Sequence, residues 1–153
     1  MTLEEIMAQA IQGEVESYEL YTWAVDLVRA EHVKDTLRTL AKEELGHKAF
    51  LEGMRASAAQ LRWQTRELLK KPVQDYKIGD HLVVKPLGPE STFQDVLIFA
   101  SRKEQMSYEL YRDLAEQAED AQTRKVLEAM SKDELRHKNL VERWYEEAVY
   151  QEF

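Results

Sequence analysis

Two short segments of this sequence carry side chains that together can hold a metal ion. KEELGHK at 42–48 and KDELRHK at 132–138 each contain Glu-x-x-His, pairing Glu44 with His47 and Glu134 with His137. Residues three apart on an α-helix share a face, so each pair offers one carboxylate and one imidazole to a single point. One such pair alone is more often two satisfied polar contacts than a metal site. Two further glutamates change that balance. Glu14 precedes Glu104 by the same 90-residue offset that separates Glu44 from Glu134 and His47 from His137. SYELY, at 17–21 and again at 107–111, repeats with that offset too. The shared offset describes an internal duplication, its halves related by a pseudo-twofold axis.

The elements that must position these six side chains read as four helices. Stretches rich in Ala, Leu, Glu, Lys, Arg and Gln, the strong helix formers, flank one irregular region at 72–90. That region holds all 3 prolines (Pro72, Pro86 and Pro89) together with Gly79 and Gly88. Helices are expected at 3–29, 33–70, 92–118 and 121–149. Thr2 with Glu5 and Ser91 with Gln94 read as capping boxes, and Asp120 as the N-cap of the fourth helix. Apolar residues recur at alternating spacings of three and four, as in Val33, Leu37, Leu40, Leu51 and Met54, or in Leu127, Met130, Val141 and Trp144. In every helix a glutamate interrupts this stripe. Glu14 and Glu44 lie about equally far from a turn near 29–32, and Glu104 and Glu134 from one near 118–121. Each hairpin therefore brings its acidic residues to one height.

The fold class expected is all-α: a four-helix bundle of two helical hairpins, residues 1–153 forming one domain. The 72–90 crossover is long for a loop, but at ~3.3 Å per residue it spans up to ~60 Å and can run the length of a ~40 Å bundle. Helices two and three are then parallel, with Leu82, Val83 and Val84 against the bundle flank.

Face-to-face packing of the hairpins brings four carboxylates and two imidazoles into the bundle centre. An isolated ion there costs several kcal/mol or more, and like charges raise one another's pKa. Two divalent cations neutralise four carboxylates. Carboxylate and imidazole donors without thiolate suit iron or manganese, and the set matches that of dinuclear carboxylate helix bundles. The alternative is a metal-free bundle whose polar belt is a buried hydrogen-bond network.

On these motifs the chain resembles the ferritin-like di-iron carboxylate proteins, most closely the rubrerythrin branch, over essentially its whole length. The resemblance implies a ferritin-like bundle holding two Fe ions, or Mn in their place. It implies Glu44 and Glu134 as bridging ligands, Glu14 and Glu104 as terminal ligands, and His47 and His137 on one metal each. It also implies a di-iron oxidoreductase active in oxidative stress, reacting with hydrogen peroxide or dioxygen as a peroxidase or ferroxidase. Iron storage without turnover and a di-manganese catalase are the alternatives, and a homo-oligomer, dimer or larger, is expected. Full-length rubrerythrins carry a rubredoxin-like domain built on four cysteines, whereas this chain has Cys 0. Electrons must then come from a separate donor, such as a rubredoxin-like protein or a reductase. The family's third helix usually offers Glu-x-x-Glu; the second position here is Ser107, which removes ligand switching by that route.

Tyr18 and Tyr108 lie one turn beyond Glu14 and Glu104. Their hydroxyls are candidates to bond the ligand carboxylates or quench radicals, weighed against simple core packing. Tyr21 and Tyr111 read as packing. Glu43 and Asp133, one position off the stripe, are expected to face solvent, as are His32 and His81. The absence of cysteine excludes disulfides, thiolate zinc sites, iron–sulfur clusters and cysteine nucleophiles. With 21 Lys+Arg against 29 Asp+Glu, a net −8, the surface repels phosphate backbones and nucleic acid is not an expected partner. No apolar run approaches a membrane span, and the N-terminal MTLEEIMAQA lacks a signal-peptide pattern, so a cytoplasmic protein is expected.

Overall fold

The computed structural model describes residues 3–60 and 86–150, which form four helices and no strand. Helix α1 spans Leu3–Ala24, α2 Glu31–Gln60, α3 Phe93–Gln117 and α4 Ala121–Tyr150. Thr2, the stretch expected as helix at 61–70, and most of the crossover with His81, Leu82, Val83 and Val84 lie outside the described residues.

The first hairpin turns where the apolar rhythm lapses. A 3-10 turn at Val25–Leu27 tightens the end of α1, and Val28 becomes extended (φ −122°, ψ 156°). The Ala30 carbonyl then accepts from Val33 and Lys34 at 3.1 and 3.0 Å to start α2. The α3 cap lies one residue later than the Ser91/Gln94 expectation. Thr92 accepts from the Asp95 amide at 3.2 Å, and Asp95 accepts from the Thr92 amide at 2.9 Å. Ser91 is engaged in the preceding turn, where its hydroxyl accepts from the Gly88 amide at 2.8 Å. Asp95 also brings a negative charge to the positive end of the helix, which Gln94 cannot do. Asp120 caps α4 as expected, accepting from the Thr123 amide and hydroxyl, each at 2.8 Å.

Helix α1 packs along α2, α3 along α4, and the two hairpins meet through α1 and α3. Cross-hairpin contacts define directions. On α1 and α3, Tyr21 bonds Glu104 while Tyr111 bonds Glu14, so these helices are antiparallel. On α2 and α4, His47 meets Asp133 while Glu43 meets His137, again antiparallel. With α4 reversing α3 inside its own hairpin, α2 and α3 run parallel.

Two apolar clusters fill the interior. One contains Ala24, Val28, Leu37, Leu40, Val96, Leu97 and Val141; the other contains Ile6, Met7, Leu51, Leu114, Ala118, Leu127 and Met130. The 90-residue offset maps members of one cluster onto the other, as the twofold axis requires. The acidic belt lies between them. No described helix is long and apolar enough to cross a membrane.

Candidate metal centre

Each helix contributes its glutamate at the level where the apolar stripe is interrupted. Glu14, Glu44, Glu104 and Glu134 are all buried, with exposures of 2% or less, and His47 and His137 are buried beside them. The six side chains expected from the repeat are brought together, in two overlapping groups. Glu14, Glu44, His47 and Glu134 offer donor atoms within 4.8 Å of one another, as do Glu44, Glu104, Glu134 and His137. Glu44 and Glu134 stand in both.

Seven buried donor atoms of these residues have no hydrogen-bond partner: Glu14 Oε2, Glu44 Oε1, His47 Nδ1, Glu104 Oε2, both Glu134 oxygens and His137 Nδ1. They are nonetheless crowded. His47 Nδ1 lies 2.6 Å from Glu134 Oε1, 3.5 Å from Glu14 Oε1 and 3.7 Å from Glu44 Oε1. His137 Nδ1 lies 3.0 Å from Glu44 Oε1 and 3.4 Å from Glu104 Oε1. Close approach without hydrogen-bond alignment is what lone pairs aimed at a common point produce. Buried polar atoms are otherwise nearly always paired, so this donor set fits two divalent cations.

The electrostatics carry the same strain. Burial, then the Glu104 charge, pushes Glu44 up to about 8. Burial and Glu104 likewise drive Glu134 well above the ordinary carboxylate value. Burial also acts to raise Glu104, but interactions with Glu134 and His137 outweigh it and hold that carboxyl low. Burial alone would lower the histidines. The facing Glu14 lifts His47 to about 9, and Glu104 and Glu44 lift His137 to about 11. Protons stand in here for missing positive charge.

Two tyrosines hold the outer glutamates. Tyr21 donates its hydroxyl to Glu104 Oε1 at 2.5 Å, and Tyr111 donates to Glu14 Oε1. Their rings set edges against His137 and His47, with centroids 6.4 and 6.3 Å away. Burial first, then the adjacent carboxylates, raises both phenols well above their ordinary value, so they remain donors. The sequence reading gave these two residues to packing and looked to Tyr18 and Tyr108 for the carboxylate bonds. Tyr18 is half-buried against the apolar cluster, and the half-buried Tyr108 receives Arg112 at its hydroxyl and over its ring. Helical geometry explains the exchange. Seven residues return to within about 20° of the glutamate's direction, whereas four residues overshoot by about 40°.

A second group missed from sequence is the pair preceding the shared glutamates. His137 Nε2 meets Glu43 Oε2 at 2.5 Å, and His47 Nε2 meets Asp133 Oδ2 at 3.2 Å. Glu43 and Asp133 thus reach across to the opposite hairpin's histidine rather than facing only solvent. Such carboxylates accept a hydrogen bond from Nε2–H, an arrangement that leaves the Nδ1 lone pair free for a cation. The available signal was the repeat itself, which places an acid immediately before each Glu-x-x-His. His32, in the first turn of α2, is exposed as expected.

Residues 95–152, which contain Glu104, Glu134 and His137, match the family model described as Rubrerythrin. A protein from Thermotoga maritima, described as a ferritin-like diiron-carboxylate protein, shares the fold with a TM-score of 0.73 at 20% identity, covering 97% of each chain. A hypothetical protein from Pyrococcus furiosus matches with a TM-score of 0.74 at 20% identity, covering 100% of this chain and 94% of that one. No curated protein sequence matches.

Proposed function

We propose that this chain, a ferritin-like protein of the rubrerythrin branch, holds two iron ions at the six-residue cluster and acts as an oxidoreductase on hydrogen peroxide or dioxygen. The observation that carries the reading is the convergence of seven unpartnered buried donor atoms on two overlapping groups that share Glu44 and Glu134. Glu44 and Glu134, which stand in both donor groups, would be shared between the two ions, Glu14 and Glu104 would each serve one of them, and His47 and His137 would each offer Nδ1 to one. Iron held there would supply the redox chemistry, and the electrons would have to come from a separate protein donor, since the chain has no cysteine for an iron–sulfur relay.

The remaining tasks fall to the chain's own groups. Tyr21 and Tyr111 fix the orientation of Glu104 and Glu14 by donating a proton to one oxygen of each, leaving the other oxygen for the cation. Glu43 and Asp133 hold the histidine rings in the required tautomer. The apolar clusters on both sides of the belt exclude bulk water, which strengthens every charge interaction inside. Ser107, half-buried on α3, supplies no fifth carboxylate, so ligand switching by that route is unavailable.

Anaerobic titration with Fe(II) tests the reading, and two equivalents bound per chain are expected. Stopped-flow mixing of that form with oxygen or with peroxide then separates the oxidants. A chain that binds no Fe(II), or whose bound Fe(II) reacts with neither oxidant, overturns the assignment.

A further inference from the structure

The duplication breaks beside the cluster at two positions, where Asp133 of α4 answers the longer Glu43 of α2 and where a side chain is present in one repeat only. Arg136 stands in α4 where Gly46 stands in α2. Arg136 Nη2 donates to Glu43 Oε2 at 2.6 Å, the same oxygen that receives His137 Nε2 at 2.5 Å. Guanidinium, carboxylate and imidazole form one chain across the gap between α2 and α4. On the other side of the axis, Asp133 meets His47 at 3.2 Å, and Gly46 has no side chain to complete the matching contact. Exposure differs with both changes. The His137 side chain is 0% exposed and the His47 side chain 8%, while Glu43 is 31% and Asp133 45% exposed. A Cβ built at Gly46 would meet nothing within 4 Å, so the space beside it is open.

Helices α1 and α3 pack directly, whereas α2 and α4 touch through these long polar side chains. A cation leaving the His47 end needs only the Asp133–His47 contact to yield. At the His137 end, Glu43 must first part from both His137 and Arg136, two charge-assisted contacts on one oxygen.

We propose that Arg136 closes the His137 half of the centre, while Gly46 leaves the His47 half as the port through which metal enters and leaves. The inference rests on the metal reading above. Arg136 and Glu43 are positioning residues, acting on the metal through His137, and the two halves of a duplicated centre are made unequal by Arg136 together with the longer reach of Glu43 than of Asp133.

Cobalt(II) is the probe, because its ligand-field absorption reports each occupied half. Full-length chain loaded with two Co(II) is mixed with excess EDTA and followed at the cobalt bands. Wild type is expected to lose its cobalt in two phases of equal amplitude, differing in rate by roughly tenfold or more. Arg136→Gly should accelerate the slow phase toward the fast one, and Arg136→Lys should restore part of the difference. Gly46→Arg, for which the structure has room, should slow the fast phase and leave the slow one unchanged. Loss of both ions in one phase, or two phases that neither Arg136→Gly nor Gly46→Arg alters, overturns the proposal while leaving the metal site standing. A wild-type chain that retains no Co(II) overturns the metal reading and this inference with it.

Discussion

Leu37, Leu40, Ala24 and Val28 of the first hairpin stand where Leu127, Met130, Leu114 and Ala118 stand in the second, and all eight are buried. The same holds for the glutamates, the histidines and the tyrosines that bond across the axis. Away from that interior the hairpins diverge. The first turns through a 3-10 segment and an extended Val28, the second through an Asp120 cap. Leu45 is exposed on α2 while its counterpart Leu135 is half-buried, and Gly46 faces Arg136 in the repeat. The difference is physical. At the axis each half packs against the other, so a change in one must fit both, and close packing leaves little slack. At the helix ends and outer faces each half meets water or its own turn, and several solutions serve equally well.

Disturbing the shared ligands should break the equivalence most. Glu44→Ala or Glu134→Ala removes an oxygen that belongs to both donor groups. Each variant is expected to fall from two bound iron ions toward none, by elemental analysis after gel filtration. Retention of two per chain in either variant would show that its carboxylate serves no ion. The two variants should also behave alike, as the axis requires.

Removing the metal turns the belt from support into load, and pH reads that load. In the metal-free chain Glu44 is raised from 4.5 to about 8, so the folded form holds a proton the unfolded chain has lost. Its contribution is favourable below pH 4.5 and disappears as pH rises through 8. His47, raised from 6.5 to about 9, adds a loss of the same sign between those values. Glu104, held low, works in the opposite direction but begins at more acidic pH. The chelated protein should therefore lose on the order of a few kcal/mol between pH 6 and 9, seen as a falling melting temperature. In the loaded protein cations replace those protons, and the melting temperature should hold or rise across the same window. Parallel curves for the two forms would mean that protons alone satisfy the belt.

Much of this was legible in the sequence because it depends on periodicity. A glutamate in a core stripe, a histidine three residues on and a common offset survive any reasonable placement of helix ends. The four helices, the parallel α2 and α3 and the meeting of Glu14, Glu44, Glu104 and Glu134 follow from rise per residue and symmetry. What escaped depends on side-chain reach across the interface. Glu43 and Asp133 sit off the stripe on their own helices, yet lie within reach of a histidine on the other hairpin. The one-residue shift from Ser91 to Thr92 turns on which hydroxyl the preceding turn already uses. Neither is visible in a pattern along one helix.

The tyrosines offer the finest comparison, between positions four and seven residues beyond each outer glutamate. Tyr21→Phe and Tyr111→Phe each remove a buried donor from Glu104 and Glu14, leaving an oxygen without its proton partner. A hydrogen bond to a charged group contributes about 1.5–3 kcal/mol, and loss of such support weakens metal binding by roughly tenfold or more. Tyr18→Phe and Tyr108→Phe remove hydroxyls that meet neither glutamate, and Tyr108 gives up only its contact with Arg112 on an exposed face. Competition for Co(II) with a chelator of known affinity should therefore separate the four variants into two pairs. The inner pair should bind more weakly and the outer pair should bind like the wild-type chain. Weakening in the outer pair instead would move the supporting hydroxyls back to Tyr18 and Tyr108. The seven-residue return of the helix would then have been the wrong guide to which ring reaches the belt.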